Sequence, residues 1–391
     1  MTKERNETNT KNETPALRGV RPSVLATLSA NKITAGTLAL LLLGLQASAD
    51  SFTFSTGDPD GKIATLSRPP SPGKIQTETA DDFVVPQTVV ISQATFTGLL
   101  PLGAALSSIG GVEIEIYHVF PGDSDTNRVP AVLTRLNSPG DVEIDSATRD
   151  SADGSLSFSA TIVNQSFSVS NSVVNGINKH PDEKTNGEGA VTGQEVLITV
   201  HFNPPIALPA DHYFFRPEVL LSSGDFLWLS APRPIVAPGT SFMPDLQSWI
   251  RNDALAPDWL RIGTDITGQG PFNAAFSLSG ETDADGDGVA DSLDECPGTP
   301  AGVIVDANGC SIDQIAPCSG PASGGTWKNH GQYVSSVAQA AESFVAQDLI
   351  TTEEADEIIA QAAQSNCGFA GGLRRSTQWR KLRSNTIAVQ N

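Results

Sequence analysis

Apolar and polar residues alternate repeatedly between residues 50 and 280. Val112, Ile114 and Ile116 share one face of an extended chain. So do Leu156, Phe158, Ala160 and Ile162, then Val196, Ile198, Val200 and Phe202, and finally Phe272, Ala274, Phe276 and Leu278. Successive side chains of a strand point to opposite faces, so a period of two predicts strands with one buried side. Proline and glycine punctuate the block and no helical period persists. The pattern predicts a mainly β fold, a large jelly-roll-like β-sandwich over 50–280. The polar, glycine-rich stretch 175–193 reads as a long exposed loop.

The pattern changes twice after Gly280. Residues 281–313 are acidic, contain Gly and Pro, and have little apolar content. From 318 to 367 the spacing becomes helical: Val334, Val337, Ala338, Ala341, Phe344 and Val345 follow an i, i+3, i+4, i+7 rhythm. Thr351 with Glu354 forms a capping-box signature before a second apolar face of Ala355, Ile358, Ile359 and Ala362. Two helices joined by about five residues predict an antiparallel hairpin. Arg374, Arg375, Arg380, Lys381 and Arg383 make 368–391 a basic, flexible tail.

At the other end, basic residues precede the apolar run Ile33 to Leu45, and Ala47-Ser48-Ala49 offers small residues for cleavage. Residues 1–49 therefore read as a signal peptide, and no later apolar stretch is long enough to span a bilayer. The expected location is outside the cytoplasm: secreted or at the cell surface, with the periplasm or an outer-membrane association also consistent.

Composition sharpens this picture. The formal net charge is −20, and the first 49 residues hold six basic side chains against three acids, so the remainder is more acidic still. Such a chain repels phosphate backbones, which argues against a nucleic-acid partner. The four cysteines, Cys296, Cys310, Cys318 and Cys367, lie in the last quarter without a CxxC pair. An even number in an exported chain reads as disulfides. Of three possible pairings, Cys296–Cys310 with Cys318–Cys367 closes one local module per bridge.

The strongest chemical signal runs from Asp283 to Asp294. Acids occupy positions 1, 3, 5, 9 and 12 of a twelve-residue loop (Asp283, Asp285, Asp287, Asp291 and Asp294), with Gly288 at position 6 and the Val289 carbonyl at position 7. Calcium takes six to eight hard oxygens, and alternate short carboxylates converge on one centre when the chain curls. The expected cofactor is Ca2+. Downstream, Asp294-Glu295-Cys296-Pro297-Gly298-Thr299-Pro300 and Val305-Asp306-Ala307-Asn308-Gly309-Cys310 resemble a bacterial thrombospondin type 3 repeat over about 283–313. That resemblance implies a calcium-wrapped segment with little regular structure, pinned by Cys296–Cys310, with those five aspartates as ligands and Asp306 and Asn308 as weaker candidates for a second ion. Adhesion is the activity associated with such repeats.

Signals for catalysis are thinner. His118, His180, His201, His212 and His330 fit no zinc spacing, and there is no nucleophile elbow or phosphate loop. Glu113 and Glu115 share a strand face, as do Asp141, Glu143 and Asp145. Both sets are expected on a wet sheet face, although paired carboxylates are also what a glycoside hydrolase needs. Trp228, Trp249 and Trp259 are expected in the core rather than on an aromatic platform. The sequence thus favours a non-catalytic protein recognising a surface glycan or protein, with a sandwich hydrolase acting on polysaccharide as the alternative.

Overall fold

The computed structural model describes residues 50–124, 136–177 and 184–369. The expected signal peptide (1–49), nearly all of the expected basic tail (368–391) and His180 lie outside the described residues.

Two sheets pack face to face. In the first, β1 (Ser51–Ser55), β15 (Phe276–Thr282), β4 (Val89–Leu100), β11 (Leu227–Ala231), β2 (Ile63–Leu66) and β8 (Asn171–Val173) lie side by side. β9 (Val191–Leu208) also pairs with β4, β7 (Leu156–Val169) with β9, and β14 (Asn273–Ala274) with β11. The second has the order β13 (Leu260–Arg261), β12 (Trp249–Asn252), β3 (Thr77–Val85), β10 (Asp211–Leu221), β5 (Ile109–His118) and β6 (Arg149–Asp150). Ladders are antiparallel except β2 with β8. The core fills the space between the sheets. Val112, Ile114 and Ile116 meet Val196, Ile198 and Val200 there, around a group of rings in which Phe215 stacks on Phe276 at 5.0 Å. Ile162 stays half-buried because β7 pairs only with β9.

The alternation predicted these strands, and the fold is a mainly β two-sheet sandwich. Trp228, Trp249 and Trp259 are all buried, as core packing requires. Two expectations need correction. Asp141, Glu143 and Asp145 do not share a strand face: the chain bends there, and Asp145 opens a single 3-10 turn. The face bearing Glu113 and Glu115 is only partly wet: Glu115 is buried, while the Glu113 side chain stays 28% exposed. Segment 140–141 lies over it, with the Gly140 carbonyl accepting from Trp259 Nε1 and the Asp141 carbonyl from Arg251.

After the sandwich the chain continues through the acidic segment into three helices: α1 (Ile312–Ile315), α2 (His330–Ala346) and α3 (Thr352–Gln364). Capping fixes their starts. Asn329 caps α2, and Thr351 with Glu354 forms the capping box of α3. Val337, Ala341 and Phe344 of α2 face Ala355 and Ala362 of α3, while Trp327, Tyr333 and Ala316 close one end. His330 ties the start of α2 to the end of α3, its ring nitrogens lying 2.7 Å from the Cys367 carbonyl and 3.0 Å from that of Ala363. Two disulfides, Cys296–Cys310 and Cys318–Cys367, tie this short-helix region. Among the described residues, no helix is long and apolar enough to cross a membrane.

Candidate functional site

The acidic loop begins where β15 ends. Asp283 donates its backbone N–H to the Thr88 carbonyl at 3.1 Å, which docks the loop against the start of β4. Gly286 and Gly288 then take positive φ values of 76° and 97°, conformations that glycine reaches without strain. The resulting curl brings the carboxylates of Asp283, Asp285 and Asp287 together, with one ligand atom from each lying within 4.8 Å of the others.

Most of these oxygens accept backbone N–H groups. Asp283 accepts from Gly286 and Gly288, Asp285 from Gly298 and Thr299, and Asp287 Oδ1 from Val289. Asp287 Oδ2 is buried and has no partner. Gly309, on the far side of the Cys296–Cys310 bridge, packs against the same point. A Cβ there would overlap the Asp294 carboxylate and come within 3.2 Å of Asp287 Oδ2. Asp294 therefore closes on the cluster from the end of the loop.

Burial raises the carboxyls of Asp283, Asp287 and Asp294 above the ordinary aspartate range, and the neighbouring charges add to the effect, Asp285 acting on all three. A buried oxygen without a donor, in a set of oxygens that repel one another, suits a hard cation. Asp283, Asp285 and Asp287 fit that role, with Asp294 beside them.

Not every residue named from spacing joins this group. Asp291 turns back to the loop's base, where its oxygens accept from the Ala284 N–H at 2.8 Å and the Thr282 hydroxyl at 2.6 Å. The Val289 N–H donates to Asp287. Asp306 spends one oxygen on the N–H groups of Asn308 and Cys310, its own turn. The role of Gly309 escaped sequence reasoning, because the Cys296–Cys310 bridge and hydrogen bonds from the Glu295 N–H to the Asn308 carbonyl and from the Thr299 hydroxyl to the Gly309 carbonyl bring it back to the loop only in the folded chain.

A second acidic group lies on the outer face of the second sheet. Glu78, Glu113, Glu115 and Glu218 surround Arg216, which is 1% exposed and lies 2.8 Å from Glu218; it also pairs closely with Glu115. Arg251 pairs with Glu78 and lies 4.3 Å over the Trp259 ring. The Tyr117 hydroxyl bridges Glu115 at 2.5 Å and Glu78 at 3.2 Å. Two guanidinium groups face four carboxylates. Burial pushes Glu218 up to about 8 against the opposing pull of Arg216, and raises Glu113 as well. The alternation showed Glu113 and Glu115 on one face but gave no sign that the face would be covered.

Near the acidic loop, a cavity of about 380 Å³ opens beside β1 and residues 240–242. Phe52, Phe54, Val84 and Phe242 line it together with Ser51, Thr53, Gln87 and Thr240, and Thr282 is also among its walls.

The fold and site define a two-sheet sandwich with an appended acidic, disulfide-bonded segment that can hold a metal ion. Comparison with known proteins adds two short likenesses. An alpha-agarase from Thalassotalea agarivorans is 50% identical over 54 residues, which is 14% of this chain and 3% of that protein. An outer membrane porin F from Pseudomonas aeruginosa is 66% identical over 29 residues, 7% of this chain and 8% of the porin. No family model and no solved structure matches the chain.

Proposed function

We propose that the chain is an exported, calcium-binding recognition protein, not an enzyme. The acidic segment binds Ca2+ in the manner of a thrombospondin type 3 repeat and acts as a stiff spacer between the sandwich and the helical module. The sandwich recognises a surface glycan or protein, and the cavity beside β1 is its binding site, with hydroxyls and phenylalanines to suit a sugar ring. The observation that carries this reading is the convergence of Asp283, Asp285 and Asp287 around the unpartnered Asp287 Oδ2. Two disulfides fit an oxidising compartment outside the cytoplasm. The short likenesses to an agarase and an outer membrane porin agree with export.

Limited proteolysis tests the spacer. Chelation should open cleavage between Asp283 and Asp294 while residues 50–280 stay intact, and equal cleavage with and without calcium would refute it. A glycan-array screen of the mature chain, repeated with Thr53→Trp to fill the cavity, tests the sandwich. A glycan bound equally by both proteins would place the site elsewhere.

The second reading, a polysaccharide hydrolase, draws on the four glutamates around Arg216. A carboxyl held protonated near neutral pH, as at Glu218, is what a general acid requires. Against it, Glu115 and Glu218 are buried and tied to that guanidinium. Release of reducing sugar from agar oligosaccharides by the parent, lost in Glu113→Gln, would favour the hydrolase.

A further inference from the structure

The wall of the cavity and the acidic loop share a stretch of chain. Thr282, the last residue of β15, stands in that wall, and Asp283 of the carboxylate cluster is the next residue. Asp291 holds Thr282 from the loop side. The Thr282 hydroxyl donates to the Asp291 carboxylate at 2.6 Å, and the Thr282 carbonyl accepts the Asp291 N–H at 2.9 Å. One residue further along the loop, the Ser292 hydroxyl donates to Glu281.

From there the links run into the cavity on both sides. On one side lies β1, an end strand of the first sheet, which among the described residues pairs only with β15. The Thr282 N–H donates to the Asp50 carbonyl at 3.0 Å, and Glu281 pairs with Ser51. Asp50 and Ser51 both line the cavity. On the other side lies the start of β4. Thr282 pairs with Val89 there, and the Asp283 N–H donates to the carbonyl of Thr88, between the wall residues Gln87 and Val89. The loop is thus the clamp on the place where these pieces of wall meet.

We propose that calcium in the acidic loop regulates the cavity, the loaded loop ordering the wall formed by residues 50–51, 87–89 and 282. This rests on the reading of the loop as a calcium site and of the cavity as the binding site. The loop has little apolar area, and its crowded carboxylates repel one another. An ion on Asp283, Asp285 and Asp287 removes that repulsion and fixes Asp283 beside Thr88. Chelation reverses this: the loop opens, Asp291 and Ser292 leave β15, and the buried Thr282 hydroxyl loses its partner. The end of an edge strand is where local opening costs least, so β1 frays while the core between the sheets keeps its packing. A ligand that needs the closed wall binds more tightly with calcium present, and by linkage it raises calcium affinity by the same factor.

Hydrogen exchange read by mass spectrometry on the full chain tests this, with calcium binding measured by calorimetry on the same samples. At saturating calcium, peptides covering 50–55 and 86–90 should exchange about tenfold more slowly than under chelator, a coupling of ordinary size. A peptide covering Ile109–His118 of β5 should not change. Asp287→Ala should exchange at the chelated rate in both conditions. If no calcium binds, the reading of the loop fails and the coupling with it. If calcium binds and the wall peptides exchange as they do under chelator, the loop reading stands and the coupling is overturned. Equal slowing across 109–118 would mean that calcium stabilises the whole sandwich, which also overturns it. A glycan bound equally by the parent and Thr53→Trp would move the ligand elsewhere and leave this response in place, so the failures are distinguishable.

Discussion

Between Ser51 and Thr282 the chain buries phenylalanines from both sheets. Between Asp283 and Cys310 it buries Asp283, Ala290, Thr299, Gly309 and Cys310, and nothing larger. The sandwich is ordered by apolar area removed from water, at roughly 25 cal/mol per Å². The acidic segment has almost none of that. Its order rests on carboxylates accepting backbone N–H groups, on one disulfide and, in the proposed reading, on an ion. The first kind of order is indifferent to calcium and reductant, and the second depends on both. Perturbations that separate the two regions are therefore the informative ones.

The largest effect should come from the sandwich core. Phe276 is buried and stacks on Phe215. Phe276→Ala should cost about 3–5 kcal/mol, measured by urea unfolding, and by the same amount in calcium and in chelator. A loss that appears only under chelator would mean that the loop, not the core, governs the unfolding of the sandwich.

Reduction should act on the other region. Loop-entropy arguments give about 3 kcal/mol for the Cys296–Cys310 bridge, separated by 14 residues, and about 4 kcal/mol for Cys318–Cys367, separated by 49. Reductant should diminish the helical circular dichroism of α2 and α3 and leave the buried Trp228, Trp249 and Trp259 spectroscopically native. A red shift of those tryptophans at the same reductant concentration would show that the two regions unfold together.

A smaller effect separates the regions by pH. Glu218 is pushed up to about 8 by burial and by the Glu78 and Glu113 charges, although Arg216 opposes the shift. Its proton is held in the folded state while the unfolded chain, titrating near 4.5, has released it. The stabilisation it gives is complete below about 4.5 and is lost as pH rises to about 8, with a slope of at most about 1.4 kcal/mol per pH unit. Glu218→Gln carries no proton to lose. In urea unfolding at pH 6, 7 and 8, its stability relative to the parent should improve with each step. A constant difference would place the ionised form of Glu218 in the fold throughout.

The two regions also differed in how far the sequence revealed them. Strand periodicity is a local property, so Val112, Ile114 and Ile116, or Val196, Ile198 and Val200, announced their buried face directly. Helix starts were equally local, as Thr351 and Glu354 show. Nothing local could reveal that residues 140–141 would lie over Glu115 and Tyr117, because Gly140 reaches Trp259 and Asp141 reaches Arg251 across more than a hundred residues. In the acidic loop, spacing named the aspartates but could not divide their labour. Asp291 stands at a ligand position by count, yet its carboxylate binds Thr282 and Ala284.

The central claim is that the acidic loop is a calcium site built on Asp287 and its two neighbours. Calorimetric calcium titration of the parent, Asp287→Ala, Asp287→Asn and the exposed control Asp356→Ala tests it most directly. In the range expected for extracellular calcium modules, roughly 0.1–1 mM, the parent and Asp356→Ala should bind alike. Asp287→Asn should weaken the loop phase and Asp287→Ala should abolish it. Should Asp287→Ala titrate like the parent, the loop does not hold the ion and the account of this region is wrong.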